Sequence, residues 1–495
     1  MKAIRFFLPR LEYVLLIAVF WSIIASGPRI LNFDGDLPRH LLNGRLILQD
    51  RHVATTDMFS FRTTGYRSFP HEWLSQTIFA VVYGWLELDG VVLLTALIIT
   101  LTWARVYGCA VRRSNSLLLT LTVLVLGIAA SQIHVLPRPH IFSYLFTVIW
   151  ISLLERVTLD QGRHWWIVPL VMLVWVNLHG MFVLGILILV IYLIGDFLDQ
   201  RSGAWFTTPR TKSLALAGAF SLLATFVSPS GPRIWETIAS LGSNSYITSR
   251  IPEYQSPNFH LPETWPFILL LLLTLVGFAR ATEKASWKDI LLTAAFAGFA
   301  LYSSRMIPLF ALVVTPLAAK VLGGWLRADY PGSRLWISDT NLIKINSASN
   351  GLIWVVAVVV LAAMTLRSGG TLDPQGRGNV FDQRFFPVEA ATWLETHSQE
   401  GRMFNEFDWG GYLLFRLWPA QQVFMDGHTH IYGESLTREY EQVIMQTEGW
   451  EDILDTYQVQ WVIMRKQAPL VKALLARDDW AIVYEDTTAV ILIRR

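Results

Sequence analysis

Ile30-Leu31-Asn32-Phe33-Asp34-Gly35-Asp36-Leu37-Pro38-Arg39-His40 follows an apolar run at 11–28, and its reading decides how the rest of the chain is understood. In it an apolar segment of near membrane-spanning length ends, two carboxylates flank one glycine, and an arginine and a histidine follow. Taken alone, Asp34-Gly35-Asp36 is consistent with a turn and helix cap, because Asp and Gly suit both. At a membrane exit the same residues carry more weight, since ionisable groups at membrane depth are costly and mark function when they converge on a cavity.

Outward from that point, composition fixes the class. Of 495 residues, 53% are hydrophobic, 16% are charged and 21 are Trp; mean hydropathy is +0.41. Apolar runs recur at 11–28, 90–110, 115–134, 139–156, 165–179, 180–197, 213–228, 264–280, 287–302, 305–323 and 351–367. An ordinary soluble globule is excluded, and a polytopic α-helical membrane protein of about 11 spans is expected. Lys2, Arg5 and Arg10 precede the first run as in a signal peptide, but no cleavage pattern follows, so a retained first span is expected. Cys109 is the single cysteine, which rules out an internal disulfide.

Basic residues set the orientation. With a cytoplasmic N-terminus, Arg112/Arg113, Arg156/Arg163, Arg201/Arg210/Lys212, Arg280/Lys284/Lys288 and Lys320/Arg327/Arg334/Lys344 all fall on the inner side. Residues 29–88 then form a long first outer loop. Within it Pro70–Leu88 reads as an interfacial helix, because counting it as a span would place every later basic cluster outside. From about Leu372 the texture changes to alternating helical and extended pieces, after a polar, Gly-rich tether Ser368–Gly378. The organisation expected is a membrane domain over 1–368 and an extracytoplasmic α/β domain over 369–495. In the latter, Val388–His397, Gly410–Leu417, Leu436–Tyr457 and Leu470–Arg477 read as helical. Arg402–Phe407, Gln422–Met425, Val459–Met464, Ile482–Tyr484 and Ala489–Ile493 read as extended.

On this topology the unusual polar residues gather at one face: Asp34, Asp36, Arg39, His40, Asp57, His71 and Glu72 in the first outer loop, Arg138 and His140 in the second, Asn177 and His179, then Arg233, Glu253 and Tyr254, then Arg305. Two carboxylates around one glycine suit a divalent metal or a general base, and Arg and His from later loops suit a phosphate. Glu253-Tyr254 sits in a long loop and reads as solvated; Asp426, His428 and His430 read as scaffolding of the C-terminal domain. No Walker-type loop, no His-Glu-x-x-His pair and no Cys/His cluster occurs, so ATP hydrolysis and zinc hydrolysis find no support.

With Asp34-Gly35-Asp36 just after the first span, a long first outer loop, many spans and an outward C-terminal domain, the chain resembles the GT-C superfamily of integral-membrane glycosyltransferases. Pro70-His71-Glu72-Trp73-Leu74 and Arg138-Pro139-His140-Ile141-Phe142-Ser143-Tyr144-Leu145 look like recurring elements of uncharacterised bacterial members. Phe407-Asp408-Trp409-Gly410-Gly411-Tyr412-Leu413, followed by Asp426-Gly427, is loosely similar to the Trp-Trp-Asp-Tyr-Gly region of oligosaccharyltransferase catalytic subunits. It has one Trp, placed after the Asp, so acceptor-sequon binding is not carried over.

The resemblance implies a glycosyltransferase that moves a sugar from a polyprenyl-phosphate-linked donor to a glycan, lipid or protein acceptor on the outer face of a bacterial inner membrane. It implies Asp34 and Asp36 as catalytic base or as ligands of a divalent metal, Mg or Mn, with metal-using and metal-free mechanisms both open. Arg39, His40, His71, Glu72, Arg138, His140, His179 and Arg305 are the candidate substrate-binding residues, and membrane lipids, but no nucleic acid, are the further partners expected. An oligosaccharyl or lipid-linked glycan transferase, a transporter and a scaffold are the alternatives. A transporter would show repeats and midplane polar groups, neither of which is visible here.

Overall fold

The computed structural model describes residues 8–33, 35–68, 70–200, 205–243, 245–281, 284–347, 349, 351–367 and 378–495. Asp34 and most of the tether Ser368–Gly378 lie outside them.

Every apolar run read from the sequence is occupied by a helix. In chain order these are α1 (Leu11–Ala25), α2 (Gly27–Asn32), α3 (Asp36–Asp50), α4 (Trp73–Ser114), α5 (Leu117–Ser131), α6 (His140–Leu159), α7 (Ile167–Leu178), α8 (Phe182–Gln200), α9 (Pro209–Ala224), α10 (Ile234–Ser243), α11 (Trp265–Arg280), α12 (Trp287–Tyr302), α13 (Ile307–Asp329), α14 (Arg334–Ser347) and α15 (Leu352–Arg367). Among the described residues six helical segments, those of α4, α5, α6, α8, α11 and α13, are by themselves long and apolar enough to cross a bilayer; α1, α7 and α15 are shorter apolar helices. The chain is an integral membrane protein.

α13 is the axis of the bundle. Its positions from Ile307 to Leu317 are buried without exception, because α4, α5, α11 and α12 pack around it on all sides. Apolar side chains cannot be driven together by water inside a bilayer, so close packing has to hold such a bundle. Gly127 of α5 illustrates it: a Cβ there would strike Thr315 of α13 and Trp103 of α4.

α4 is two helices joined at a break. Leu86 (φ −138°) and Glu87 (φ 50°, ψ −143°) leave helical geometry, so the segment from Trp73 to Trp85 runs separately from the apolar remainder. That is the geometry an amphipathic helix needs if it is to leave the direction of the following span.

The C-terminal region forms three layers. A four-stranded sheet has the order β1 (Arg402–Asn405), β2 (Val459–Arg465), β4 (Ala489–Arg494), β3 (Trp480–Glu485); β1 and β2 are parallel, and β4 is antiparallel to both neighbours. Strand side chains alternate faces, and both faces are covered. Trp461, Ile463, Ala489 and Ile491 enter one core with α16 (Val388–Thr396) and α17 (Gly410–Leu417). Val462, Met464, Val490 and Leu492 enter the other with α18 (Thr429–Met445), α19 (Trp450–Thr456) and α20 (Pro469–Leu475).

Two local readings change. The helix expected over Leu436–Tyr457 is two helices, because Gly449 adopts φ 79° between them. Gln422–Met425 joins no strand of the sheet; Val423 bridges to Ser60 of the first outer loop instead. That loop also places Leu42 and Phe59 in the first of the two C-terminal cores, so the loop and the C-terminal domain are packed as one unit.

Candidate functional site

The site is built where the N-terminal ends of α3, α4 and α6 meet the loop before α13 and the loop before α18. Asp36 is the first residue of α3, and its Oδ2 lies 3.2 Å from Arg138 Nη1. Arg138 immediately precedes Pro139-His140 at the start of α6, and the same Nη1 lies 3.6 Å from Glu253 Oε2. Glu253 is shared: Arg305 Nη1 is 3.4 Å from its Oε1 and His134 Nε2 is 3.6 Å from its Oε2. Two carboxylates and two guanidinium groups from four separate stretches thus alternate in a chain, Asp36, Arg138, Glu253, Arg305.

Local chemistry fixes each link. Ser303 and Ser304 donate from their hydroxyls to the Glu253 carbonyl at 2.9 and 3.1 Å, pinning the Pro252–Tyr254 turn to the start of α13. The Arg305 guanidinium lies over the Tyr254 ring at 4.6 Å, a cation–π contact that holds it in place. His140, expected to bind substrate, is buried and stacked on His134 at 4.6 Å. Glu253 and His134 were missed as site residues, and the solvated reading of Glu253 is corrected: its carboxylate joins both arginines. No short-range pattern marks it, because its partners are supplied by distant segments.

A second group surrounds Glu72, just before α4. Its Oε1 lies 3.5 Å from His179 Nε2 and 3.8 Å from His71 Nε2, and its Oε2 lies 3.8 Å from His40 Nδ1. His40 is further fixed by Gln76 at 3.1 Å. His179 Nδ1 accepts from the Met181 N–H at 3.3 Å and from the Ser143 hydroxyl at 3.0 Å, while Ser143 itself accepts from Trp175 Nε1 at 2.8 Å. The neutral imidazole must then carry its proton on Nε2, aimed at Glu72. Trp73 Nε1 donates to Asn177 at 2.7 Å and Ser75 donates to the Leu178 carbonyl at 2.8 Å, which ties the start of α4 to the end of α7. Burial alone would raise the Glu72 carboxyl, but the surrounding His71, His40, His179 and His430 outweigh it and hold it down at about 2. The two groups adjoin, with the His140 and His179 rings 6.5 Å apart.

Arg39, expected to bind substrate, makes several contacts with the C-terminal domain. Its Nε pairs with Asp426 Oδ2 at 3.0 Å, one Nη2 contact reaches Asp57 at 3.7 Å, and Nη2 donates to His428 Nδ1 at 2.6 Å. It is a buried tie between α3 and the C-terminal domain. Burial, then the Arg39 charge, pushes His428 well below the usual imidazole range; burial and the His71 field push His430 down to about 3. Both rings are therefore neutral near pH 7. Arg39, Asp57, His71, Glu72, Gln76 and His428 contribute to the walls of a cavity of about 110 Å³. That is below the roughly 300 Å³ of ordinary ligand sites.

Asp34 lies outside the described residues, and the acidic pair as a metal site with it. Among the described residues no group of three or more His, Cys, Asp or Glu has the spacing to hold a metal ion. Asp408 is on the surface near Arg465 at 3.7 Å, and Trp409 is fully buried with Nε1 donating to the Phe385 carbonyl at 2.7 Å, so this Trp is scaffold.

No family model matches the chain, and no curated protein matches it by sequence. Solved structures do match in shape. The AglB oligosaccharyltransferase of Archaeoglobus fulgidus, in complex with an inhibitory peptide and a dolichol-phosphate, aligns at TM-score 0.59 and 10% identity over 92% of this chain and 69% of its own. The same organism's oligosaccharyltransferase tethered to an acceptor peptide aligns at 0.55 and 12% over 92% and 68%. ArnT from Cupriavidus metallidurans bound to undecaprenyl phosphate aligns at 0.51 and 16% over 97% of both chains. The chain therefore has the fold of the GT-C integral-membrane glycosyltransferases, to which both AglB and ArnT belong.

Proposed function

We propose that this protein is a GT-C glycosyltransferase that moves a sugar from a polyprenyl-phosphate-linked donor to an acceptor at the extracytoplasmic face of a bacterial inner membrane, with its N-terminus cytoplasmic and its C-terminal domain outside. The observation that carries the reading is the row Asp36, Arg138, Glu253, Arg305 at one end of the bundle. Its guanidinium groups, Arg138 and Arg305, are gathered 3.2 to 3.6 Å from carboxylates at this end of the bundle. Guanidinium groups match a phosphate in charge and geometry.

The reaction is displacement at the anomeric carbon. The acceptor hydroxyl oxygen forms the new bond to that carbon, the bond to the phosphate oxygen breaks, and the phosphate keeps the bonding pair. Asp36, or Asp34 beside it, takes the acceptor's proton as general base. Arg138 and Arg305 neutralise the charge that grows on the departing polyprenyl phosphate. Glu72 and its imidazoles offer acceptors and donors suited to sugar hydroxyls.

The solved structures of similar fold carry dolichol-phosphate or undecaprenyl phosphate, which supports a lipid-phosphate donor for this chain. Transfer of a whole glycan to a peptide is the second reading, and the burial of Trp409 weighs against it, since that ring offers no surface to an acceptor. The test is transfer of radiolabel from a panel of undecaprenyl-phosphate-linked sugars in membranes holding the wild type, Asp34→Asn or Asp36→Asn. Transfer by the wild type and its loss in a folded variant is the expected result. Full activity in both variants would overturn the assignment of the base.

A further inference from the structure

We infer that the Asp426-Gly427 loop of the C-terminal domain orients the Asp36 carboxylate, and that Gly427 is there because any side chain would occupy the carboxylate's place. The inference rests on the proposed reaction for its consequence, but its geometry stands without it. If a Cβ is built on Gly427, its three nearest neighbours all belong to Asp36: Oδ1 well inside van der Waals contact, Cγ at 3.2 Å and Oδ2 at 3.9 Å. Nothing else crowds the position more closely, and Gly427 does not need a glycine for its backbone, since its φ lies outside the left-handed region. The absent side chain makes room for one functional group and for that group alone.

The loop is rigid enough to act as a wall. The fully buried Asn405 accepts from the Phe424 N–H at 2.8 Å and donates to the Met425 carbonyl at 2.8 Å, which anchors the loop to β1. From the first outer loop, Ser60 donates to the Phe424 carbonyl at 3.1 Å and the Val423 N–H donates to the Phe59 carbonyl at 3.0 Å. Asp426 Oδ1 accepts from the His428 N–H at 3.0 Å and from the Tyr432 hydroxyl at 3.3 Å, and its Oδ2 faces Arg39 at 3.0 Å. Arg39 lies three residues after Asp36 on α3, so this ion pair sets α3 and the loop in register. Gly411 repeats the close approach one step away, where a Cβ would collide with the Gly35 carbonyl. The carboxylate of Asp36 is thus bounded by Arg138 from the membrane domain and by Gly427 from the C-terminal domain.

A structural role and a positioning role make different demands. In Gly427→Ala the only close obstacle is the end of a side chain, which can rotate away, so folding survives. The carboxylate that rotates is the proposed base, so turnover does not. The experiment uses the full chain in lipid nanodiscs, with Gly84→Ala as control because a Cβ there meets nothing within 4 Å. Gly427→Ala should keep the wild-type unfolding temperature and its KM for an undecaprenyl-phosphate-linked sugar, while kcat falls by about 100-fold or more, the effect of roughly 1 Å of misplacement. Cryo-electron microscopy of both proteins should show the Asp36 carboxylate turned away from its wild-type position over an unchanged backbone. Retained kcat, an unmoved carboxylate, or a variant that fails to fold would each overturn the inference. If the wild type transfers no sugar, the functional reading fails, and the carboxylate's position in the two structures still decides this one.

Discussion

Two clusters of charge mark the two ends of α6, and they are built differently. At its start, Asp36, Arg138, Glu253 and Arg305 stand at 3.2 to 3.6 Å from one another. Near its other end, about 25 Å along the helix at 1.5 Å per residue, Glu155 is closed in: Tyr192 donates to its Oε1 at 2.6 Å, Lys288 Nζ reaches the same oxygen at 2.5 Å, and Arg113 lies 3.2 Å away. Beside it Lys320 Nζ meets Asp289 at 2.6 Å. This cluster is closed by short contacts at Glu155 and ties α4, α6, α8 and α12 together. The other cluster joins four stretches far apart in the chain through ion pairs of 3.2 to 3.6 Å, and it is the one the proposed reaction uses.

The largest effect expected from breaking the contrast is at Asp36. Asp36→Asn should lower kcat by about 10²- to 10⁴-fold, the range for loss of a general base, with unfolding temperature unchanged, read by radiolabel transfer beside calorimetry. Next come Arg138→Ala and Arg305→Ala, each expected to cost about 10²- to 10³-fold in kcat, as removal of a charge-stabilising donor does. Their partner Glu253 then has one cation fewer, so the double variant should lose less than the sum of the two. Glu155→Ala reverses the pattern: about 3 kcal/mol of stability should go, because breaking an ion cluster leaves the partner charges uncompensated, while kcat per folded molecule stays at the wild-type value. An Asp36 variant that unfolds, or a Glu155 variant that folds well but cannot turn over, would erase the distinction.

The smallest effect sharpens the comparison through pH. His430 is held at about 3 in the folded protein and His428 well below its ordinary value, so in each case it is the unfolded state that takes up the proton as pH falls below about 6.5. Stability should therefore fall as pH drops from about 6.5 towards 3, by at most about 1.4 kcal/mol per pH unit for each ring. Thermal unfolding at pH 7.5 and 5.5 measures it, and His430→Gln should show the shallower slope. Glu72 acts at lower pH: its depressed value gives stability that is complete above about 4.5 and is lost as pH falls towards 2.

Much of this was readable in the chain. Helices occupy the eleven apolar runs because hydropathy acts over neighbouring residues, and Val459–Met464 and Ala489–Ile493, read as extended, are strands. Asp36, Arg138 and Arg305 were singled out as charges at span ends, and the structure brings them into one row. Glu253 read as solvated and Asp426 as scaffolding, Gly427 entered only through a loose resemblance, and His134 was not singled out. Glu253 lies in a loop whose sequence looks solvated, and its place between two arginines depends on segments more than a hundred residues away in one direction and about fifty in the other.

What the sequence determined by itself was the set of elements and the gathering of ionisable groups at one end of the bundle, since both follow from composition over short windows and from the cost of burying charge in lipid. What the tertiary structure decided was partnership. Arg39 has the charge of a substrate-binding residue, yet it is tied to His428, 389 positions away, and Gly427 is an ordinary glycine until Asp36 is set against it. Such pairings depend on how separately formed helices and sheets are brought together, and no local pattern encodes which of many equivalent charges will meet.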